Sequence, residues 1–168
     1  EFKDEQAFYT SSERERFISR SANQRGELGL NFVTNIAPEL GWETLGLFTL
    51  SFGTLDATGR QLDFTGGSPD ASQLFQIESE AGERIGRSVL RYKMSPELSF
   101  EGGGELAYNY RDQQVALTLD GVPQMLDASD VFVEELRGEL FGQTSWKPAK
   151  EWSFEAGLRV ERSTIEQS

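Results

Sequence analysis

Apolar and polar residues alternate with a period of two in several stretches of the chain, the signature of strands with two unlike faces. In Leu98-Ser-Phe-Glu-Gly-Gly-Gly-Glu-Leu-Ala-Tyr-Asn-Tyr110, one face carries Leu98, Phe100, Leu106, Tyr108 and Tyr110, and the other Ser99, Glu101, Glu105 and Asn109. In Trp152-Ser-Phe-Glu-Ala-Gly-Leu-Arg-Val-Glu161, Trp152, Phe154, Leu158 and Val160 oppose Ser153, Glu155, Arg159 and Glu161. No long apolar stripe of helical period is present. Proline cannot donate to a central ladder, so Pro38, Pro69, Pro96, Pro123 and Pro148 are read as connections. They divide the chain into six predicted strands, at about 25–34, 42–54, 76–94, 98–113, 131–146 and 151–166. The connections at Pro38, Pro96 and Pro148 are short, and those at Pro69 and Pro123 are long and polar. Residues 1–24 are expected to form an extracellular loop or strand extension, with Glu13-Arg14-Glu15-Arg16 as a solvated segment.

Taken from the short turns outward, the even-numbered residues 26–34, 42–52, 86–94, 98–110, 136–146 and 152–160 include no Asp, Glu, Lys or Arg. The alternate positions carry Arg87, Arg91, Glu101, Glu105, Arg137, Glu139, Arg159 and Glu161. A tilted transmembrane strand needs roughly 9–11 residues to cross the hydrocarbon, and a charge on its lipid face costs ~2–4 kcal/mol at the midplane. The uncharged faces have that length. Trp42, Trp146 and Trp152 flank short turns, Tyr92 precedes one, and Tyr108 and Tyr110 lie at the far end of their strand. This is the placement of two membrane-interface aromatic girdles. The fold expected is all-β, an antiparallel transmembrane β-barrel segment of about six strands forming an incomplete barrel.

Folding the third and fourth strands so that Met94 faces Leu98 sets Arg91 opposite Glu101, Arg87 opposite Glu105 and Tyr92 opposite Phe100. Folding the last hairpin so that Trp146 faces Trp152 sets Glu139 opposite Arg159 and Arg137 opposite Glu161. These charges are read as a lumen-facing ladder that is structural or contacts a plug. Each pair contributes roughly 0.2–1 kcal/mol and so fixes register more than it stabilises.

Composition narrows the function. The chain has no cysteine and no histidine, which removes disulfides, Cys/His zinc sites and His-based nucleophilic catalysis. The neighbours Glu134 and Glu135 point to opposite faces of a strand, so no enzyme is expected. A net charge of −12 excludes nucleic-acid binding through a basic surface. Asp120, Asp127 and Asp130 match no EF-hand spacing, and no cofactor is expected. No apolar run is long enough for a membrane-spanning helix, but a β-barrel needs none.

Residues 131–168, with Gly157-Leu158-Arg159-Val160-Glu161 after an alternating strand, resemble the barrel of TonB-dependent receptors. So does Arg87-Ser-Val-Leu-Arg-Tyr-Lys93 leading through a proline turn into Leu98-Ser-Phe-Glu-Gly-Gly. The resemblance covers residues 76–168 and, more loosely, 25–54. It implies a plugged barrel of about 22 strands in the outer membrane of a Gram-negative bacterium. Such a barrel imports a scarce nutrient (a metal chelate, cobalamin or a sugar) under power from TonB. The chain begins at Glu1 without an initiator Met and ends directly after a strand pattern, and is read as a fragment lacking the plug and the TonB-contacting segment. Its expected partners are outer-membrane lipid, the rest of its own barrel and plug, and TonB through that plug; the isolated segment is expected to self-associate through its sheet edges. Two alternatives remain. A complete small structural or adhesive barrel needs at least eight strands, two more than the six predicted. A soluble β-sandwich binding module would alternate too, but gives no reason for uncharged faces of one repeated length.

Overall fold

The computed structural model describes residues 2–9, 13–63, 70–127 and 129–168. The strands are β1 (Phe2–Tyr9), β2 (Glu13–Ala37), β3 (Leu40–Asp63), β4 (Ala71–Lys93), β5 (Leu98–Leu119), β6 (Val122–Gln124), β7 (Asp130–Ala149) and β8 (Trp152–Gln167). They form one antiparallel sheet in the order β1-β2-β3-β4-β5-β7-β8, with the short β6 paired to the end of β5. The sheet does not close on itself.

Eight strands therefore replace the six expected, and the long ones run further. Within residues 1–24, β1 (Phe2–Tyr9) pairs with Arg14–Ser21, and β2 is continuous strand from Glu13. The other strands overrun their expected outer limits, β3 to Asp63, β4 back to Ala71 and β5 to Leu119.

The turns explain most of the registers. Ser95 ties the β4–β5 connection, its Oγ accepting from the amides of Glu97 (3.2 Å) and Leu98 (3.1 Å). This turn sets Arg91 opposite Glu101, Arg87 opposite Glu105 and Tyr92 opposite Phe100, as the charge pattern requires. The β7–β8 register differs from expectation by two residues. Trp146 lies opposite Phe154, not Trp152, Glu139 opposite Glu161, and Arg137 opposite Ser163. The cause is Pro148, which does not end the strand. It sits in a bulge between Trp146 and Ala149, and β7 runs on to a turn at Lys150–Glu151. A bulge relieves a residue of its ladder bond and so tolerates proline. Pro123 is likewise within β6, opposite Thr118, and Pro69 lies outside the described residues. At the far end of β5, Asp120 (φ 51°) and Gly121 (φ 78°) turn the chain into β6. Positive φ at both central residues is the requirement that Asp-Gly meets in a tight hairpin.

Among the described residues no second layer covers the sheet; only Ala57, Gly82, Val89, Ala107 and Glu139 are buried, and no large side chain is fully enclosed. Close packing is confined to spots, and it occurs on both faces. A side chain on Gly103 would run into the Ser88 carbonyl and the Phe141 ring, whereas one on Gly86, on the other face, would meet nothing within 4 Å.

Two outcomes are expected. Since the chain has no native cysteine, Thr144→Cys with Ala156→Cys, directly opposite in the sheet, should cross-link on oxidation. Thr144→Cys with Phe154→Cys, the pairing of the two-residue-shifted register, should not. Gly103→Ala should destabilise by about 1–3 kcal/mol through overpacking, and Gly86→Ala by far less, in urea titrations of the detergent-solubilised chain.

Candidate functional site

From β2 to β8 along the sheet, every paired register between the long strands joins even-numbered to even-numbered residues, apart from the bulged turns. The two faces are therefore continuous across the wall. The even face exposes Leu28, Leu30, Phe32, Phe48, Leu50, Leu90, Leu106, Leu140, Leu158 and Val160. It stays uncharged over roughly ten residues per strand. At ~3.3 Å per residue and a tilt of ~40°, that is a band of about 25 Å.

The odd face carries the charges. Arg91 bridges three strands, its Nη1 donating to Glu43 Oε2 at 2.6 Å on β3 and its Nε to Glu101 Oε2 at 2.7 Å on β5. Glu43 was not anticipated, because hairpin-by-hairpin reasoning does not show that β4 has neighbours on both sides. Glu105, Glu139 and Glu161 stand in one row, each directly opposite the next. Like charges so placed repel, and arginines offset them. Arg87 and Arg137 reach Glu105 at 3.9 and 3.3 Å, and Arg159 reaches Glu139 at 2.5 Å and Glu161 at 3.5 Å. The Glu139–Arg159 pair thus forms diagonally. The expected Arg137–Glu161 pair does not form, because Arg137 turns to β5 instead. Phe141 lies on this polar face over Gly103, with the Arg87 guanidinium 4.9 Å above its ring. The run Gly102-Gly103-Gly104 opposite a phenylalanine is the sequence signal for that packing.

The aromatics occupy the two ends of the even face. Near the short turns, Trp42 packs edge-on against Phe32 at 5.6 Å and donates from Nε1 to Ser88 Oγ at 2.8 Å. Trp146 and Trp152 both pack on Phe154, at 5.7 and 5.9 Å, and Tyr92 lies between Leu40 and Phe100. At the outer end, the Tyr108 hydroxyl donates to Glu134 at 2.7 Å and the Tyr110 hydroxyl to Glu80 at 2.6 Å. Tyr110 lies across Gly82, where a side chain would collide with its ring.

Beyond this outer row the polarity of the faces inverts. The odd face becomes apolar, with Leu55, Ala57, Phe75, Ile77, Val115 and Leu117 half-buried or buried, while the even face carries Arg16, Arg20, Asp56, Arg60, Glu78 and Glu80. The odd face ends in a concavity of about 530 Å³ lined by Glu15, Phe17, Gln61, Gln73 and Leu119. On the even face, Arg16 holds the Glu5 carboxyl below the ordinary carboxylate range through a hydrogen bond and its charge, and Lys3 adds to the effect. Asp120 accepts from the Ser72 amide at 2.6 Å. Among the described residues no three acidic side chains group as a metal site.

No protein-family model matches the sequence, and no curated protein matches it. Among solved structures, the chain superimposes on BauA, the ferric preacinetobactin receptor from Acinetobacter baumannii, with a TM-score of 0.39 at 10% identity. The overlap covers 99% of this chain and 34% of the receptor, so the chain spans about a third of that protein's length. Pseudomonas aeruginosa OccK11 (OpdR) gives a TM-score of 0.16 at 11% identity over 99% of this chain and 71% of that one.

The row of carboxylates yields a prediction. Glu139 is nearly enclosed, with a side chain 7% exposed, while its partner Arg159 is 64% exposed. Arg159→Met should destabilise by about 1–3 kcal/mol, the cost of leaving a buried polar group without its partner, and adding Glu139→Gln should restore most of it. Arg91→Met, whose side chain is half exposed, should cost less than about 1 kcal/mol. Urea midpoints of the four chains, wild type included, test this.

Proposed function

We propose that this chain is a wall segment of an outer-membrane β-barrel, with its even face against lipid and its odd face lining a polar lumen. The observation that carries this reading is the uncharged band of near-constant height on one face, backed by the ion ladder on the other. A single-layer sheet that exposes this much leucine and phenylalanine needs an apolar medium, and its 25 Å band matches the lipid-facing height of transmembrane barrels. Trp42, Tyr92, Trp146 and Trp152 then mark one interface, and Tyr108 and Tyr110 the other. The two lateral edges are open for further strands of the same barrel.

The parent protein, in this reading, is a TonB-dependent receptor that imports a metal chelate, cobalamin or a sugar through a plugged barrel. The motifs in residues 76–168 support that choice, as do strands such as β2 and β3 (25 and 24 residues) that continue well past the membrane band. Lumen charges such as Arg87 and Arg137 would face the plug, and TonB would act through that plug.

Two measurements test these levels separately. Leu140→Lys, at mid-band on the even face, should cost ~2–4 kcal/mol in bilayer-refolded chain, and Gln143→Lys on the odd face should cost little. Equal, small effects of both would overturn the lipid-facing assignment. An antibody to this segment should detect a several-fold longer polypeptide in the outer-membrane fraction, and deleting its gene should abolish uptake of one scarce nutrient. A native product of this size in the soluble fraction would favour the β-sandwich binding module instead.

A further inference from the structure

Beyond the band the even face carries charges of both signs at one level. Fourteen residues outward from Thr34, Trp42, Met94 and Leu98, the inner ends of the uncharged face, stand Arg20 on β2, Asp56 on β3, Glu80 on β4 and Asp112 on β5. Lys3 of β1 lies directly opposite Arg20. At ~3.3 Å per residue and a tilt of ~40°, this level is about 10 Å past the end of the band. Both ends of the belt hold like charges in direct cross-strand register. At the cationic end these are Lys3 with Arg20 and, just above, Arg16 with Arg60. At the acidic end they are Glu80 with Asp112 and Glu134 with Glu166. Such pairs destabilise a sheet, and the chain relieves them only in part. Glu5 lies 2.7 Å from Arg16 and 3.6 Å from Lys3, and Glu80 and Glu134 accept from the hydroxyls of Tyr110 and Tyr108. Among the described residues, Arg20, Arg60, Glu78 and Asp112 make no ion pair or side-chain hydrogen bond. The first three are exposed and Asp112 is half-buried.

We propose that this belt is a contact between two copies of the chain, side by side in the membrane, with the cationic end of each against the acidic end of the other. The inference rests on the barrel-wall reading above. A two-fold contact brings the same surface of both copies together, so that surface must complement itself. An unsatisfied cationic half beside an unsatisfied acidic half at one height meets this condition. A partner of a single sign would neutralise one half and repel the other. A two-fold axis along the membrane normal, near β3, sets Lys3 and Arg20 of one copy against Glu80 and Asp112 of the other. It also leaves both copies upright in the same bilayer. Arg60 and Glu78, four and two residues further out, extend the match. Asp56 falls near the axis and is occupied by a hydrogen bond from Gln76 at 2.9 Å. This contact is distinct from pairing through the open lateral edges, which uses backbone hydrogen bonds and takes no account of these charges. Exposed ion pairs are weak singly, so the contact draws on several at once and is screened by salt.

The test uses the 168-residue chain refolded into zwitterionic phospholipid vesicles. Since the chain has no native cysteine, Glu39→Cys in the β2–β3 turn carries a donor or an acceptor dye. Energy transfer between chains reports association. Quenching of Trp42, Trp146 and Trp152 by brominated acyl chains reports insertion independently of the belt. Two charge reversals are compared, Arg20→Glu with Arg60→Glu and Glu78→Lys with Asp112→Lys. All four positions lack side-chain partners, and two of the changes remove like-charge pairs, Arg60→Glu opposite Arg16 and Asp112→Lys opposite Glu80. The expected result is association of the wild-type chain at low salt, lost in high salt. Each reversal alone should weaken association about tenfold or more. An equal mixture of the two variants, donor on one and acceptor on the other, should regain it, because one surface is then wholly acidic and the other wholly cationic. Transfer that ignores salt and both reversals belongs to edge pairing and overturns the proposal, as does a mixture that associates no better than either variant alone. Quenching without transfer in the wild type sinks the contact alone, whereas absence of quenching sinks the membrane reading and the contact with it.

Discussion

The constraint on which the rest of this sheet depends is register parity. A one-residue slip in any ladder moves a whole strand's side chains to the opposite face. Here the uncharged face of the band falls at even numbers in all the long strands, so every ladder must pair even with even. The turns do not guarantee this. Ala37 pairs with Leu40 and Ala149 with Trp152, each an even–odd match that would put the next strand out of phase. In both hairpins a bulge follows at once, between Asn35 and Ala37 and between Trp146 and Ala149, and restores the match. The β4–β5 connection gives an even sum directly and has no bulge. The bulges are thus phase corrections required by tight turns, which accounts for their position beside the short connections.

With phase secured, the sheet in the proposed barrel would act as a boundary between two media rather than as a core. Almost nothing is buried within it, and the leucines and phenylalanines of the even face gain stability only from an apolar neighbour. The inversion above the band follows from the same logic. Beyond the uncharged band, where in the proposed barrel it would leave hydrocarbon, the even face takes up Glu80, Glu78, Asp56 and the arginines. The odd face there takes up Leu55, Phe75, Ile77 and Val115.

This inversion also explains how far the sequence could be read. Within the band charge is confined to the odd face, and the strands, their faces and the β4–β5 register follow from that. Outside the band the apolar residues move to odd numbers, so a reading that tracks the even face stops near Gln24, Thr54, Arg84 and Asp112, where that face turns polar. The first half of β2 hides for a further reason. In Glu13-Arg14-Glu15-Arg16 both faces are charged, and no period of two survives in hydrophobicity alone. The Arg91 triad was half visible, because Glu101 belongs to the same hairpin and Glu43 to the neighbouring one.

The β7–β8 ladder shows what the ion pairs can and cannot decide. A one-residue slip is opposed by polarity, since it would carry Arg137, Glu139 and Arg159 onto the uncharged face, at ~2–4 kcal/mol for a basic residue at mid-band if that face meets lipid as proposed. A two-residue slip keeps every side chain on its own face, and only the charge pairing and the turn stand against it. The pairing is a poor judge there. Arg159 reaches Glu139 when directly opposite it and also when two residues out of line, as it is in the sheet. A few tenths of a kcal/mol per exposed pair cannot separate such registers. The tight turn at Lys150–Glu151 and the bulge that absorbs Pro148 make the choice, and the arginines then settle on whichever carboxylates that choice brings within reach.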